Sequence, residues 1–172
     1  MNEILHCLCE RRSCRAYSDR PVERATLDEV LRAGTYAPTG MNRQSPIMIV
    51  AESREVIDEL SRLNAAVMGR DGDPFYGAPI VVSVLADTSV MTWQEDGSLV
   101  IGNLLNAAHS LGLSGCWIHR AREVFDSPRG RELLAEWGVP PTYRGVGHCI
   151  LGYSAVPTPE AKPRKEGYVR YV

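Results

Sequence analysis

The chain has 172 residues, of which 44% are hydrophobic and 23% are charged, and its formal net charge is −2. This length fits one domain, and the charge balance gives no indication of binding to nucleic acid or to an acidic membrane surface. No apolar run reaches the roughly 18 residues that span a bilayer, and the first residues do not have the pattern of a secretory signal. The five cysteines contain no C-x-x-C pair, so we expect reduced thiols in a cytoplasmic protein.

Hydrophobic periodicity and turn residues divide the chain into alternating helices and strands, without a linker or an internal repeat. In chain order the predicted elements are a helix over 3–10, a helix over 27–37, a strand over 47–51, a helix over 53–63, a strand over 79–86, a helix over 96–111, a strand over 115–118, a helix over 127–138 and a strand over 146–151. We therefore predict a single domain over 1–172 that ends in an extended tail over 154–172.

Three local patterns carry most of these assignments. Thr26 and Glu29 form a capping box, which predicts the start of the second helix, and Pro38 ends that helix. The strand over 79–86 is almost continuously apolar, which predicts a central position in the sheet. The helix over 96–111 is apolar on most sides, so we expect it to be deeply buried.

The end of the tail is unusual for a segment with no partner. Its last residues mix apolar and polar side chains, with Tyr168, Val169, Tyr171 and Val172 as the apolar ones. Such a pattern indicates that the tail pairs with a sheet edge, on this chain or on a partner subunit.

Two short polar segments indicate a ligand site. Residues 11–15, Arg-Arg-Ser-Cys-Arg, hold three guanidinium groups and a hydroxyl, and guanidinium groups bind phosphate in a bidentate manner. Residues 37–44 form a turn with carboxamides at Asn42 and Gln44, which can donate and accept on one edge of a planar heterocycle. Together they predict a site for a phosphorylated cofactor with a hydrogen-bonding ring. Taken singly, the first segment also fits a solvated helix end and the second a polar turn.

Other site signatures are missing from the sequence. Gly145 and Gly147 lack the third glycine and the following helix of a dinucleotide-binding fingerprint. No P-loop and no serine nucleophile motif occurs. The histidines have no metal-ligand spacing, so no metal site is predicted.

Four blocks of sequence, in this order, resemble the FMN-dependent nitroreductase family in its short bacterial form. The blocks are Arg11-Arg12-Ser13-x-Arg15, Pro38-Thr39-Gly40-x-Asn42-x-Gln44, Gly112–Ile118, and Gly152-Tyr153 followed by Lys162-Pro163-Arg164. They span nearly the whole chain. The resemblance implies an α+β fold with a central, mainly antiparallel sheet flanked by helices, in an interlocked homodimer with two FMN sites at the interface.

The resemblance assigns basic and hydroxyl side chains to the phosphate and ribityl end of FMN: Arg11, Arg12, Ser13, Lys162 and Arg164. Two adjacent residues cannot both point inward, which favours Arg11 over Arg12. Arg15 corresponds to a cation near the pyrimidine end of the flavin. Without the resemblance, residues 162–165 would be interpreted as a solvated basic tail.

The resemblance also assigns the flavin ring. Trp117, Ile118, His119 and Arg120 are expected to line one face of it, with a backbone N–H near His119 or Arg120 directed at flavin N5; Trp117 also fits a core position and His119 an ordinary loop histidine. Pro38, Thr39, Gly40 and Asn42 are expected to contact the cofactor of the other subunit, with Gln44 supporting their loop. Asn64 is added because an exposed carboxamide at a helix end suits the pyrimidine edge.

The function implied is an NAD(P)H oxidoreductase that uses FMN and reduces nitroaromatic, quinone or similar small acceptors by a ping-pong mechanism. No side chain is predicted to act as a catalytic acid or base, because the flavin carries the chemistry. Two alternatives stay open. One is another flavin reaction on this fold, such as dehalogenation or ene reduction, and the other is a non-catalytic FMN-binding protein.

Overall fold

A four-stranded antiparallel sheet forms the centre of the computed structural model, which describes all 172 residues. The strands are β1 (Pro46–Ala51), β2 (Ile80–Asp87), β3 (Ser114–Ile118) and β4 (Tyr143–Gly152). The helices are α1 (Glu3–Glu10), α2 (Arg24–Thr35), α3 (Arg54–Met68), α4 (Trp93–Ser110), α5 (Ala121–Asp126) and α6 (Pro128–Glu136), with a single 3-10 turn at Gly40–Asn42. None of the helices combines the length and the apolar character that crossing a bilayer requires.

The strand order is β1-β2-β4-β3, and every neighbouring pair is antiparallel. The predicted α+β class and the central position of the strand over 79–86 are therefore confirmed. β1 and β3 are the two edges of the sheet. The predicted carboxamide loop leads into β1, whereas the arginine segment lies beside β3.

Helices cover both faces of the sheet, because side chains alternate along each strand. On one face, α3, α5 and α6 pack Ile57, Leu60, Val124 and Phe125 against Val81 and other strand residues. On the other face, α2 and α4 pack against the strands through a second set of buried side chains, which includes Leu27, Val30, Ile101, Leu104, Val82 and Val84. The two central strands are thus buried on both sides.

Three helix predictions need correction. The capping box is wrong: α2 begins at Arg24, so Thr26 lies inside the helix, and Glu23 precedes the helix without a side-chain cap. α3 runs beyond Leu63 to Met68, where Gly69, with a φ of +67°, provides the left-handed C-terminal residue that a helix end favours. α5 was not predicted, because six residues are too few to show a helical period.

The burial of α4 is less complete than predicted. One stripe of the helix, which includes Val100, Ile101 and Leu104, packs on the sheet, whereas Leu99 is 47% exposed.

The tail was predicted to pair with a sheet edge, on this chain or on a partner subunit. Apart from a bridge between Ser154 and Tyr17, it forms no strand pairing within its own chain, and residues 155–172 are exposed.

A buried polar pair lies in the centre of the sheet. His148 on β4 pairs in register with Ser83 on β2, and its Nδ1 lies 2.8 Å from the Ser83 hydroxyl. The Phe75 ring stands edge-on to the imidazole at 5.2 Å. Complete burial, followed by the nearby charge of Arg120, lowers the pKa of His148 to about 3. The imidazole is therefore neutral in the folded chain at physiological pH.

This pair predicts a pH-dependent stability. An unfolded histidine protonates near pH 6.5, so the unfolded chain binds more protons than the folded one between that pH and about 3. The stabilisation is complete above pH 6.5 and is lost as the pH falls. As the pH is lowered from 7 to 5, we expect the free energy of unfolding to fall by about 2 kcal/mol, because His148 then takes up a proton only in the unfolded chain.

Urea unfolding at the two pH values measures this loss. His148→Gln should lack the increment, whereas His6→Gln on the exposed surface of α1 should keep it. Equal pH dependence in the wild type and in His148→Gln would contradict the interpretation.

Candidate functional site

Two adjoining cavities lie at the β3 edge of the sheet. The first, called here the large cavity, has a volume of about 370 Å³ and is lined by Arg15, the loop around residues 71–76, and residues 116–120 at the end of β3. The second, called the small cavity, has a volume of about 240 Å³ and is lined by residues 12–16, Ser114 and residues 154–159. Arg15 borders both cavities, so the predicted arginine segment lies where they meet.

Backbone pairing holds the arginine segment in this place. Ser13 forms a parallel bridge with Gly115 on β3, and the Cys14 N–H donates to the Gly115 carbonyl at 3.1 Å. The Tyr17 hydroxyl donates to the Cys14 carbonyl at 3.1 Å. Burial, together with neighbouring thiols led by that of Cys14, raises the pKa of Tyr17 well above its usual range. The hydroxyl is therefore a permanent donor that ties the segment to the fold.

The three guanidinium groups of the segment have different roles. Arg12 donates to the carbonyls of Cys9 and Arg11 at 2.6 and 2.8 Å, so it closes the C-terminal end of α1. Arg11 has a buried Nη1 with no hydrogen-bond partner, and the Nε of Arg12 is buried without a partner as well. Arg15 is exposed and makes no hydrogen bond or ion pair. Arg11 and Arg15 thus have donors available to an anionic ligand, and the choice of Arg11 over Arg12 stays a prediction.

His109 lies close enough to Arg11 for the charge of the arginine to affect its pKa. Burial, and after it the positive charge of Arg11, lowers the pKa of His109 in the last turn of α4. A buried donor nitrogen without a partner costs free energy until an acceptor pairs with it. Arg11 thus has an unused donor for an anion such as phosphate, and the phosphorylated cofactor predicted from the sequence fits the residues present.

The end of β3 forms the floor of the large cavity. Trp117, Ile118, His119 and Arg120 all line it, and their contact with a flavin ring stays a prediction. The Trp117 indole lies close above Gly147, where an added Cβ would meet its Nε1 at 2.7 Å. Arg120 has a φ of +78°, a left-handed conformation that strains a residue other than glycine. Such strain persists only where surrounding contacts hold it.

The exposed position that was the reason for choosing Asn64 is wrong, and contacts with the same strained residue show why. Asn64 is completely buried within α3 rather than exposed at its end. Its Nδ2 donates to the His119 carbonyl at 2.9 Å, and its Oδ1 accepts from Arg120 Nε at 3.0 Å. Both ends of the carboxamide are used inside the protein, so Asn64 holds the cavity floor in place.

The carboxamide loop lies elsewhere. It leads into β1 at the opposite edge of the sheet, and Thr39 and Gln44 line a separate hollow of about 150 Å³. Pro38 and Asn42 are exposed, and the Gln44 side chain donates to Asn42 Oδ1 at 3.3 Å, as a supporting role for Gln44 would require. One chain therefore does not bring this loop to the arginine segment.

A buried carboxylate that the sequence did not single out holds this loop. Asp96 accepts from the Gly40 N–H at 2.9 Å, from the Ser45 hydroxyl at 3.0 Å and from the Thr92 hydroxyl at 3.2 Å. The loop needs such an anchor, because Met41, Asn42 and Gln44 all have left-handed φ values. Sequence reasoning identified Asp96 only as the start of α4. An acidic residue that opens an otherwise apolar helix was the available signal.

The basic residues of the tail form no hydrogen bond to the arginine segment within one chain. Lys162 and Arg164 are exposed, and Arg164 donates only to the Lys162 carbonyl, at 2.8 Å. The base of the tail, up to Pro159, does line the small cavity. Since three residues span at most about 10 Å, Lys162 lies within reach of that cavity, and its predicted phosphate contact stays a prediction.

Comparison with known proteins gives consistent results. A family model described as "Nitroreductase family" matches residues 8–75. A protein of Archaeoglobus fulgidus, provisionally named NADH dehydrogenase/NAD(P)H nitroreductase, is 30% identical over 158 residues, which are 89% of this chain and 86% of that protein. A protein of the same name from Methanothermobacter thermautotrophicus is 31% identical over 120 residues, 67% of this chain and 60% of the relative. The chain thus spans less than two thirds of the latter protein.

The fold agrees closely with that of a solved structure. A nitroreductase with bound FMN from Bacteroides fragilis superimposes with a TM-score of 0.92 at 30% sequence identity, and the match covers 100% of both chains. The predicted family resemblance and fold class are therefore confirmed.

The role of Asp96 generates a prediction about stability. Asp96→Ala leaves one backbone donor and two hydroxyl groups without their acceptor. Hydrogen bonds to a charged group contribute about 1.5–3 kcal/mol, so we expect the free energy of unfolding to fall by about 2 kcal/mol or more. Denaturant unfolding measures the change. Asp28→Ala on the exposed side of α2 is the control and should stay within about 0.5 kcal/mol of the wild type; a similar result for Asp96→Ala would disprove the anchoring role.

Proposed function

The chain belongs to the nitroreductase family, and on this basis we propose that it is a homodimeric, FMN-dependent NAD(P)H oxidoreductase. The acceptors proposed are nitroaromatics, quinones or similar small molecules. The observation that carries the proposal is the half-buried Arg11, whose Nη1 has no hydrogen-bond partner and which directly precedes Arg12 and Ser13 in the lining of the small cavity. The FMN bound in the Bacteroides fragilis relative supports the same cofactor here.

The residues present suit each part of FMN. Arg11 and Ser13 would hold the phosphate, with Lys162 and Arg164 closing over it from the tail, because a phosphate of nearly two negative charges needs several cations. Trp117 and the strained backbone at Arg120 would lie along the ring in the large cavity. Arg15, a free cation at the junction of the cavities, would lie near the pyrimidine end.

The flavin, once bound, supplies the two-electron redox chemistry. The chain's own contribution is to bind and orient. Asn64 holds the backbone at the cavity floor, and the arginines provide fixed positive charge, which is most effective where water is excluded. The chain has one large cavity beside β3 and no separate nucleotide-binding fold, so donor and acceptor would occupy the same space in turn, as in a ping-pong mechanism.

Three features support a dimer. The carboxamide loop and the arginine segment lie at opposite edges of one chain's sheet, so a site built from both requires a second copy. Apolar side chains are exposed on α1, namely Ile4, Leu5 and Leu8. The aromatic tail is exposed as well, and contiguous exposed apolar groups mark interaction surfaces. In the proposed dimer, Pro38, Thr39, Gly40 and Asn42 contact the partner's cofactor.

The cofactor proposal predicts the effect of removing Arg11. Arg11→Met should weaken FMN binding about tenfold or more, because a hydrogen bond to a charged group contributes about 1.5–3 kcal/mol. Fluorescence titration with FMN measures the affinity. Arg24→Met, which removes a guanidinium paired with Glu52 on the surface, should bind FMN normally. Arg12→Met should weaken FMN binding less than Arg11→Met does, since Arg12 caps α1.

The same titration tests the function itself. Wild-type protein should bind one FMN per subunit, and NADH or NADPH should bleach its visible absorbance. Failure to bind FMN would disprove the proposed function. Binding without reduction by either donor would leave a non-catalytic FMN-binding protein.

The dimer proposal predicts the effect of shortening the tail. Removal of residues 168–172 should weaken the dimer and FMN binding together, because the tail is proposed to bind the partner and to carry Lys162 and Arg164 to the phosphate. Light scattering and FMN titration on one preparation measure both. A full-length variant with Ser at positions 168, 169 and 171 should show the same loss, which separates side-chain contact from chain length. A truncated protein with an intact dimer and normal FMN affinity would contradict the proposal.

A further inference from the structure

Tyr76 has an unusual backbone conformation beside the large cavity. Its φ is +55°, in the left-handed region that is costly for a residue with a large side chain. The next residue, Gly77, also has a positive φ, of +70°. Tyr76 is 42% exposed and lines the large cavity, which Trp117 and His119 also line. A costly conformation at a cavity wall points to a function.

A carboxylate clamp holds Tyr76 in this conformation. Asp73 accepts from the Ser61 hydroxyl at 2.6 Å, from the Phe75 N–H at 2.8 Å and from the Gly77 N–H at 2.6 Å. Its own carbonyl accepts from the Tyr76 N–H at 3.1 Å. Burial opposes ionisation of this carboxyl, but the hydrogen bonds from Ser61, Gly77 and Phe75 outweigh it and lower its pKa. The turn is therefore closed by a charged acceptor on both sides of Tyr76.

The neighbouring aromatic residue shows what the turn achieves. Phe75 is completely buried, and its ring packs against His148 in the core. The two neighbouring side chains thus have different surroundings. Phe75 packs in the core and anchors the loop, whereas Tyr76 lines the cavity. The other cavity side chains near Tyr76 are mostly charged or small, namely Arg15, Asp71, Gly72 and Pro74. Tyr76 is the one aromatic ring that the loop contributes to this cavity.

We propose that Tyr76 determines the specificity for the electron acceptor, by providing an aromatic wall against which a planar aromatic acceptor lies in the large cavity. Aromatic rings pair favourably in offset-stacked or edge-to-face arrangements, so a flat quinone or nitroaromatic gains more from this wall than a compact inorganic acceptor does. Asp73 is the positioning residue, because it acts through Tyr76. The inference rests on the proposed function and assigns its acceptor selectivity to one residue.

Three variants of Tyr76 distinguish the effect of losing the aromatic ring from the effect of relieving the backbone strain. Tyr76→Phe keeps the ring. Tyr76→Leu keeps apolar bulk and the strained conformation but removes the ring. Tyr76→Gly removes both the ring and the strain, because glycine adopts a positive φ readily.

Steady-state kinetics of the FMN-loaded protein are measured with menadione, a planar quinone, and with ferricyanide, which has no ring to stack. We expect Tyr76→Gly and Tyr76→Leu to lose about tenfold or more in kcat/KM for menadione, mainly through KM. Tyr76→Phe should stay close to the wild type. Ferricyanide rates and the rate of flavin reduction by NADH should be unchanged in all three.

Two readouts do not depend on turnover. Titration of the oxidised, FMN-loaded protein with 2-naphthoate, a planar aromatic that is not reduced, should perturb the flavin absorbance in the wild type and in Tyr76→Phe, with much weaker binding in the other two. Urea unfolding of the flavin-free protein should give Tyr76→Gly a midpoint equal to or above the wild type. A gain in stability together with a loss of selectivity is not expected of a residue that is merely structural.

The double variant tests the clamp. Asp73→Asn replaces one acceptor oxygen with a donor, so the turn should loosen and menadione selectivity should fall. In the Tyr76→Gly background the same change should have no further effect on selectivity.

Several results would overturn the inference. These are an unchanged ratio of menadione to ferricyanide kcat/KM in Tyr76→Gly, an equal loss with NADH, or a parallel loss of FMN affinity, which would place the ring against the flavin instead. Wild-type reduction of ferricyanide by NADH reports on the proposed function alone. Its absence would remove the enzyme assignment, whereas its presence with unaltered variants would remove only the role of Tyr76.

Discussion

Burial of β2 and β4 on both faces is the constraint on which the rest of this structure depends. These central strands are covered by α3, α5 and α6 on one side and by α2 and α4 on the other, so they offer almost no place for a polar group. The exception is the pair of Ser83 and His148, which bond to each other in the core and leave only the His148 Nε2 without a partner. Groups that could bind a ligand are therefore confined to the sheet edges and to the loops beyond the strand ends, where both cavities and the carboxamide loop lie.

Buried polar side chains then shape these edges. Asp96 holds the carboxamide loop, Asn64 holds the backbone at His119 and Arg120, and Asp73 holds the turn at Tyr76. In each case a side chain from a helix or a turn accepts or donates to a segment that contains a left-handed residue. Hydrogen bonds in a low-dielectric interior can stabilise strained backbone, and they do so here next to the surfaces on which the proposed chemistry depends.

Electrostatics distinguishes the cavity arginines from those that support the fold. Arg129 and Arg131 are paired with carboxylates on the helices around them, as an ordinary surface cation is. Arg11 and Arg15 form no ion pair within the chain, and Arg15 lines both cavities. An anion from outside the chain would satisfy a guanidinium nitrogen that is buried and unpaired, which is why a phosphate-bearing cofactor is proposed at this edge of the sheet.

The sequence by itself determined the strands and most of the helices, because these depend on local periodicity and turn residues, and its ordered motifs indicated the family and with it the fold class. Tertiary structure alone decided burial and proximity. Asn64 proved to be internal because α3 continues past it and packs against α5, and Arg12 proved to close the C-terminal end of α1. The separation of the carboxamide loop from the arginine segment follows from the strand order β1-β2-β4-β3. That order is set by contacts between residues far apart in the chain, which no local pattern encodes.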